Sequence, residues 1–331
     1  MTSPEEWAIP KGSTILITGV NGYIGSHITD QFLHYGFKLT NLFDGKYGKG
    51  RFELWRVPDL AAEGALNEVI KGVSAVIHSA SIMNFDYDPD RVIPSSVAFG
   101  LNALKATYTE PGVKRFVYCS SSSASVISAP NRPGILVTGE TWNDDVVKEA
   151  YAEPRSPTPE KKGAVYGASK VLTEQAIWKY HNEHSKERSD LVVNTVVPNT
   201  NIGKCLDPYN QGFPSSASLV VTLYWGEVKP HHYGIPRQYY INVQDTARLH
   251  IAAAIFDNVR SQRIFAFAGR FNWDAILDIL RKLEPNKVFP ENFSGGEDTN
   301  EIQPRPKAEQ LLRRLGRPGW TSLEESVRDL V

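Results

Sequence analysis

The chain has 331 residues, a net charge of -1 and acids and bases interspersed, which suits one large α/β domain or a sheet domain with a smaller lobe and leaves no field to attract nucleic acid or a membrane surface. Its two cysteines, Cys119 and Cys205, cannot build a disulfide framework, no Cys/His spacing resembles a metal site, and no apolar run approaches the roughly 20 residues a bilayer span needs. The opening M-T-S-P-E-E-W-A-I-P lacks the pattern of a signal or transit peptide, so the expectation is a cytoplasmic protein without metal, nucleic-acid partner or membrane.

Residues 13–27, S-T-I-L-I-T-G-V-N-G-Y-I-G-S-H, read as strand, tight turn and helix. Gly19, Gly22 and Gly25 allow a positive-φ turn, close approach of backbone to a pyrophosphate, and tight packing of helix on strand, while the first N–H groups of the helix 23–35 face the phosphates. Gly-rich turns also occur for structural reasons, but a β-prone run before the glycines and an amphipathic stretch after them favour a dinucleotide site. Strands are expected over 38–43 and 52–57. The connection between them, at 44–51, is too short to carry the helix a parallel crossover normally uses. Asp44 stands where a carboxylate would accept from a ribose 2′-OH and repel a 2′-phosphate, yet Lys46, Lys49 and Arg51 follow at once and could meet such a phosphate, or serve as soluble turn residues.

A helix is expected over 61–70, then a strand over 75–78 ending in H-S-A-S, whose small Ser79 and Ala80 leave room for a ligand at the carboxyl end of a central parallel strand. A long helix over 90–108 leads to a strand at 114–119 and the hydroxyl-rich S-S-S-S-A-S of 120–125. Residues 131–163, rich in Pro, Gly, Asp and Glu, read mostly as loop. A periodic helix begins near 163, with Tyr166, Lys170 and Thr173 spaced to share a face, and 191–198 is a fully apolar strand. Beyond 199 the pattern loosens into a Pro-punctuated, aromatic-rich region with helices near 243–256, 272–282, 307–315 and 323–330. The organisation expected is a Rossmann-like, doubly wound parallel sheet over 1–198 and a smaller C-terminal substrate-binding lobe over 199–331, with about 240–270 returning to the sheet.

Tyr166 and Lys170 form Y-x-x-x-K, which places an ammonium one helical turn from a phenol. That charge favours the phenolate and suits the tyrosine to exchange a proton. In isolation the pattern is more often an exposed tyrosine with a solvated lysine; behind the glycine turn and a serine-rich strand end, the catalytic reading prevails. His181 and His184 lack a third ligand nearby and read as a solvated face. His231 and His232 read as loop residues, and Cys119 as packing. Of Phe213, Tyr224, Trp225 and Tyr239, one or two are expected to line an apolar pocket, the rest to pack the lobe.

Taken together, G-x-x-G-x-x-G, the serine cluster and Y-G-A-S-K (166–170), with L-N-A-L-K-A (101–106), K-R-F-V (114–117), V-V-P-N (196–199) and L-G-R-P-G-W-T-S-L-E-E-S (315–326), resemble the extended short-chain dehydrogenase/reductases of the NAD-dependent epimerase/dehydratase superfamily. Within them the likeness is to the fungal NADPH-dependent aldehyde/ketone reductases of the aldehyde reductase II type and to dihydroflavonol reductase. The resemblance implies an NAD(P)H-dependent carbonyl reductase acting on an aldehyde or ketone, expected to be bulky and hydrophobic, in a monomer or homodimer. It implies Ser121, with Ser120 or Ser122 as register alternatives, hydrogen-bonding the substrate carbonyl, Tyr166 protonating it, and Lys170 tuning Tyr166 and binding the ribose. Its cofactor contacts fall on Gly19, Gly22, Tyr23, Ile24, Asp59, Leu60, Ser79, Ala80, Lys170 and Pro198. It implies NADP(H) ahead of NAD(H), which Asp44 and the short 44–51 connection contest. The family's Gly-Thr before Leu-Asn is replaced by Phe99-Gly100. A nucleotide-sugar epimerase or dehydratase, and a non-catalytic descendant, are the competing readings.

Overall fold

In the computed structural model, residues 7–37, 50–128, 133–235 and 237–331 are described. The strand expected over 38–43, and with it Asp44, Lys46 and Lys49, lies outside them. The apolar runs become strands in the order β1 (Ile15–Thr18), β2 (Ala75–His78), β3 (Arg115–Cys119), β4 (Leu136–Val137), β5 (Val192–Pro198), β6 (Thr200–Ile202), β7 (Gln238–Asn242), β8 (Arg263–Ala266), β9 (Gly269–Phe271) and β10 (Glu301–Ile302). Five of these form one parallel sheet in the order β1-β2-β3-β5-β8. Every residue of β2, β3 and β5 is buried, which is why they read as unbroken apolar runs: a parallel sheet is covered on both faces.

The covering helices lie on opposite faces. On one, α1 (Tyr23–His34) packs against the helix Val243–Ile255, which also lies against β3, β5 and β8. On the other, α2 (Pro89–Thr109) and α4 (Pro159–His184) pack together, with the eight-residue α3 (Asp144–Tyr151) beside α4. The sheet is therefore doubly wound, as expected. The remaining strands build a small second sheet, β6-β7-β9, and a β10-β4 pair. Tyr23 Oη donates to the Gly203 carbonyl at 2.5 Å and His27 Nε2 lies 2.7 Å from the Lys204 carbonyl, strapping the start of the second sheet's region onto α1. β8, far along the chain, returns to the main sheet beside β5.

Three sequence expectations change. Residues 52–57 form no strand, only a bridge residue at Glu53; Leu54 and Trp55 face solvent, and the segment has no ladder to join among the described residues. Residues 61–70 are a run of turns rather than a helix, because Gly64 takes φ +74° and breaks the right-handed path. The 131–163 stretch holds a real helix, α3, whose start is marked by Asn143 accepting from Val146 N and by Asp144 and Asp145 in the first turn; Val146 and Ala150, four apart, bury its inner face. The same reading also begins α4 four residues late, since Thr158 caps it and Pro159 opens it.

Candidate functional site

At the carboxyl end of β1 the chain turns through Gly19 at φ +74°. A Cβ there would stand 2.8 Å from Ala80 N, and one at Gly25 would stand 2.0 Å from the Gly19 carbonyl oxygen, so both positions need glycine. Thr18 locks the turn to β2. Its Oγ1 accepts from Ala80 N at 3.2 Å and lies 2.9 Å from Nδ1 of the buried His78, to which its hydroxyl proton is free to donate. Burial, and after it the Lys170 charge, push His78 down to about 3, so the ring is neutral. The helix that follows starts at Gly22 with no side-chain cap and no carboxylate in its first turn. Its first N–H groups and its positive end are therefore open to an anion.

The opposite wall comes from β3, the 3₁₀ turn Ser122–Ala124 and α4. Ser121 caps that turn, accepting from Ser123 N at 3.3 Å and donating to Ser123 Oγ at 3.3 Å. The Ser120 hydroxyl is engaged elsewhere, donating to Glu174 at 2.6 Å. On α4, Lys170 is buried and its Nζ donates to the Cys119 carbonyl at 3.1 Å, with Nζ 6.0 Å from the Tyr166 ring centroid. Burial alone would weaken the ammonium; Tyr118, Tyr166 and Cys119 outweigh it and hold Lys170 above the ordinary lysine range. Burial likewise pushes the Cys119 thiol up to about 11, leaving it an inert packing group.

The two walls enclose one cleft of about 440 Å³. Gly19, Gly22, Tyr23, Ile24, Gly25, Ser79, Ala80, Ser121, Tyr166, Lys170 and Pro198 all line it. Asp59 and Leu60 do not: the Asp59 carboxylate accepts from Ala61 N at 2.8 Å, and Leu60 is held through its carbonyl by Asn102. Arg51 donates to the Phe37 carbonyl at 3.2 Å, and Asp44 is not among the described residues.

The aromatic expectation fails. None of Phe213, Tyr224, Trp225 and Tyr239 lines the cleft; Phe213 and Trp225 pack edge to face, and Tyr239 packs on Phe267. Instead the wall after Pro198 is polar, with Asn199, Thr200, Asn201, Ser215, Ser216 and Gln238, and Met83 and Phe99 add apolar surface to that of Ile24, Ala80 and Pro198. The signal for the first three was their place directly after a buried parallel strand, where ligands of such sheets sit. Phe85, at φ +49°, stands beside the site with its ring centroid 5.4 Å from that of Tyr166. His181 is buried rather than solvated, with Nδ1 2.8 Å from Tyr108 Oη. Among the described residues no group of three or more His, Cys, Asp or Glu could hold a metal, and no helix is long and apolar enough to cross a membrane.

Comparison with known proteins covers nearly the whole chain. Residues 15–266 match the NAD dependent epimerase/dehydratase family. Aldehyde reductase 2 of Sporidiobolus salmonicolor is 38% identical over 100% of this chain and 98% of its own. Ketoreductase adrE of Penicillium rubens is 35% identical over 99% and 98%. Among solved structures, yeast methylglyoxal/isovaleraldehyde reductase Gre2, complexed with NADPH, superposes with a TM-score of 0.78 at 24% identity, covering 96% of each chain, and so shares the fold.

Proposed function

Because this chain belongs to the NAD-dependent epimerase/dehydratase family, we propose that it is an NAD(P)H-dependent carbonyl reductase that takes an aldehyde or ketone to an alcohol. The observation that carries the reading is the convergence of Ser121, Tyr166 and Lys170 on the cleft that the glycine turn opens. The relatives named aldehyde reductase and ketoreductase favour it over a nucleotide-sugar epimerase.

The cleft fits a dinucleotide. A Cβ at Gly25 would collide with backbone, the helix start is uncapped and free of carboxylates, and Lys170 keeps a buried charge on the far wall. The glycine turn with Tyr23 and Ile24 would hold the pyrophosphate beside Ser79 and Ala80, which lie against Gly19 and Gly25, Pro198 would flank the nicotinamide half, and Asp59 and Leu60 would approach the adenosine from their loop. When bound, the reduced nicotinamide supplies the hydride. Ser121 hydrogen-bonds the substrate carbonyl oxygen and holds it in place. Tyr166 delivers a proton to that oxygen as it becomes an alkoxide. Lys170 fixes the nicotinamide ribose, with its ammonium held on the Tyr166 side of the cleft, 6.0 Å from that ring centroid. An apolar substituent of the substrate lies against Met83 and Phe99. NADP(H) is expected ahead of NAD(H). On this reading the enzyme works in the cytosol, as a monomer or homodimer.

Purified protein incubated with NADPH and 4-nitrobenzaldehyde should consume the coenzyme, and Tyr166→Phe should lower kcat by about 10²-fold or more, the usual contribution of a positioned proton donor. Full turnover in Tyr166→Phe would sink the reading. Parallel titrations with NADPH and NADH by calorimetry decide the coenzyme.

A further inference from the structure

Beneath the cleft, outside its lining, lies a buried carboxylate–guanidinium pair. Glu174, one turn beyond Lys170 on α4, accepts from Arg263 Nε on β8 at 2.9 Å, and the two side chains are 0% and 7% exposed. A pair so desolvated is weak evidence for stability, because the cost of taking both charges out of water roughly offsets their attraction. Its further partners are more informative. Glu174 Oε2 accepts from Ser120 Oγ at 2.6 Å, and Arg263 Nη2 donates to Ser125 Oγ at 2.8 Å. Ser120 immediately precedes Ser121, and Ser125 closes the 3₁₀ turn that immediately follows it. Arg263 itself has little freedom: its Nη1 donates to the carbonyls of Gly139 at 2.9 Å and Thr141 at 2.8 Å, and its guanidinium lies 3.8 Å from the Trp142 ring centroid. Each member of the pair thus grips the chain on one side of Ser121.

We propose that Glu174 and Arg263 are positioning residues for the reaction, fixing the Ser121 hydroxyl against Tyr166 by tying Ser120 and Ser125 to the helix that carries Tyr166 and Lys170. The proposal rests on the carbonyl-reductase reading and adds to it the device that sets the serine–tyrosine geometry. A charge-assisted network suits this task better than apolar packing, since its hydrogen bonds fix direction as well as distance. Neither residue lines the cleft, so both act through Ser121.

The experiment is a cycle of serine variants assayed with NADPH and 4-nitrobenzaldehyde. Ser120→Ala with Ser125→Ala removes both tethers while leaving the ion pair in place. The expected result is a kcat about 10- to 100-fold lower, the scale of a misplacement near 1 Å, with the NADPH Kd and the Tm little changed. Made on a Ser121→Ala background, the same two changes should lower kcat less than two-fold further, because the serine they position is gone. A purely structural role would instead cost the same on both backgrounds. Arg263→Lys supplies a second variant, keeping the charge but unable to span Glu174, Ser125 and two carbonyls at once, and the same kcat loss at unchanged NADPH Kd is expected. A kcat within two-fold of wild type in both the double alanine variant and Arg263→Lys, or equal losses with and without Ser121, overturns the proposal. The underlying reading fails separately, if the wild-type protein oxidises no NADPH or Tyr166→Phe retains full turnover.

Discussion

Gly25→Ala is the sharpest test of the glycine turn. A methyl at this position would sit 2.0 Å from the Gly19 carbonyl oxygen, 2.8 Å from its carbon and 3.1 Å from Ser79 Oγ. An ordinary contact requires the turn to open by about 1.2 Å or more. The obstacle is backbone, and Gly19 is itself wedged against Ala80, so neither side yields cheaply. Helix propensity works the other way, favouring Ala by about 1 kcal/mol, but forcing a methyl into a packed site costs about 1–3 kcal/mol, so strain prevails or nearly cancels in stability. Coenzyme affinity has no such compensation, because the displaced atoms are the ones proposed to meet the pyrophosphate. The expected outcome is a Tm within a few degrees of wild type and an NADPH Kd raised about 10- to 100-fold by calorimetry. Gly163→Ala, in α4 and outside the cleft lining, is the control: a Cβ there would meet nothing within 4 Å. An unchanged Kd in Gly25→Ala, or an equal loss in Gly163→Ala, refutes the reasoning.

Other perturbations test other parts of the molecule. Asn102 Nδ2 donates to the carbonyls of Leu60, Ala61 and Ala62 at 3.1, 2.8 and 3.0 Å, so Asn102→Ala should free the loop proposed to meet the adenosine, raising the NADPH KM several-fold with kcat unchanged; an unaltered KM removes that loop from the site. Gly100→Ala would bring a Cβ 2.5 Å from Thr173 Cγ2 and should lower the Tm, whereas adding Thr173→Ser, which deletes that methyl, should recover much of the loss; additive effects would disprove the contact. Stability should fall in mild acid. Burial pushes His78 down to about 3 and His27 and His250 to about 4, so the unfolded chain takes up protons near pH 6.5 that the native one refuses. Stability is therefore full above about pH 6.5 and is lost as pH falls toward 4, at up to about 1.4 kcal/mol per pH unit for each histidine. Thermal melts at pH 7.5 and pH 5 check this, and an unchanged Tm would contradict it.

The parts of the fold legible in sequence were those whose physics is local. β2, β3 and β5 are buried on both faces, so they appear as apolar runs, and α4 appears through its period and its Y-x-x-x-K. The glycine turn is legible because backbone collisions leave Gly19 and Gly25 no alternative. What escaped depends on partners distant in sequence. β6 and β9 have three residues each, too short for a pattern, and β7, Q-Y-Y-I-N, begins and ends on polar amides; all three exist because they pair with one another. The segment 52–57 has a strand's composition but joins no ladder among the described residues. One or two of the lobe's aromatics were expected in an apolar pocket, yet burying a large ring is as well served inside a small lobe as at a ligand, and the polar residues after β5 line the cleft instead.

The departure at Phe99-Gly100 acquires a physical meaning from the same comparison. Gly100 faces Thr173 and Ile177 on α4, where any Cβ would press against both, so this residue sets how closely α2 approaches α4. Tyr166 and Lys170 project from α4, while Ser121 belongs to the end of β3. A shift of α4 would therefore change the distance between the serine and the tyrosine, whereas a change of bulk at 99 alters only the cleft wall, because Phe99 lines the cleft. In this chain the small residue stands at the helix interface and the large one at the cavity. Relative to a Gly-Thr pair, bulk has moved from between the helices into the space a ligand would enter. The proposed serine–tyrosine spacing is thus set at a position where a side chain would press on Thr173 and Ile177, and the shape of the cleft is left to a neighbour that can vary without disturbing it.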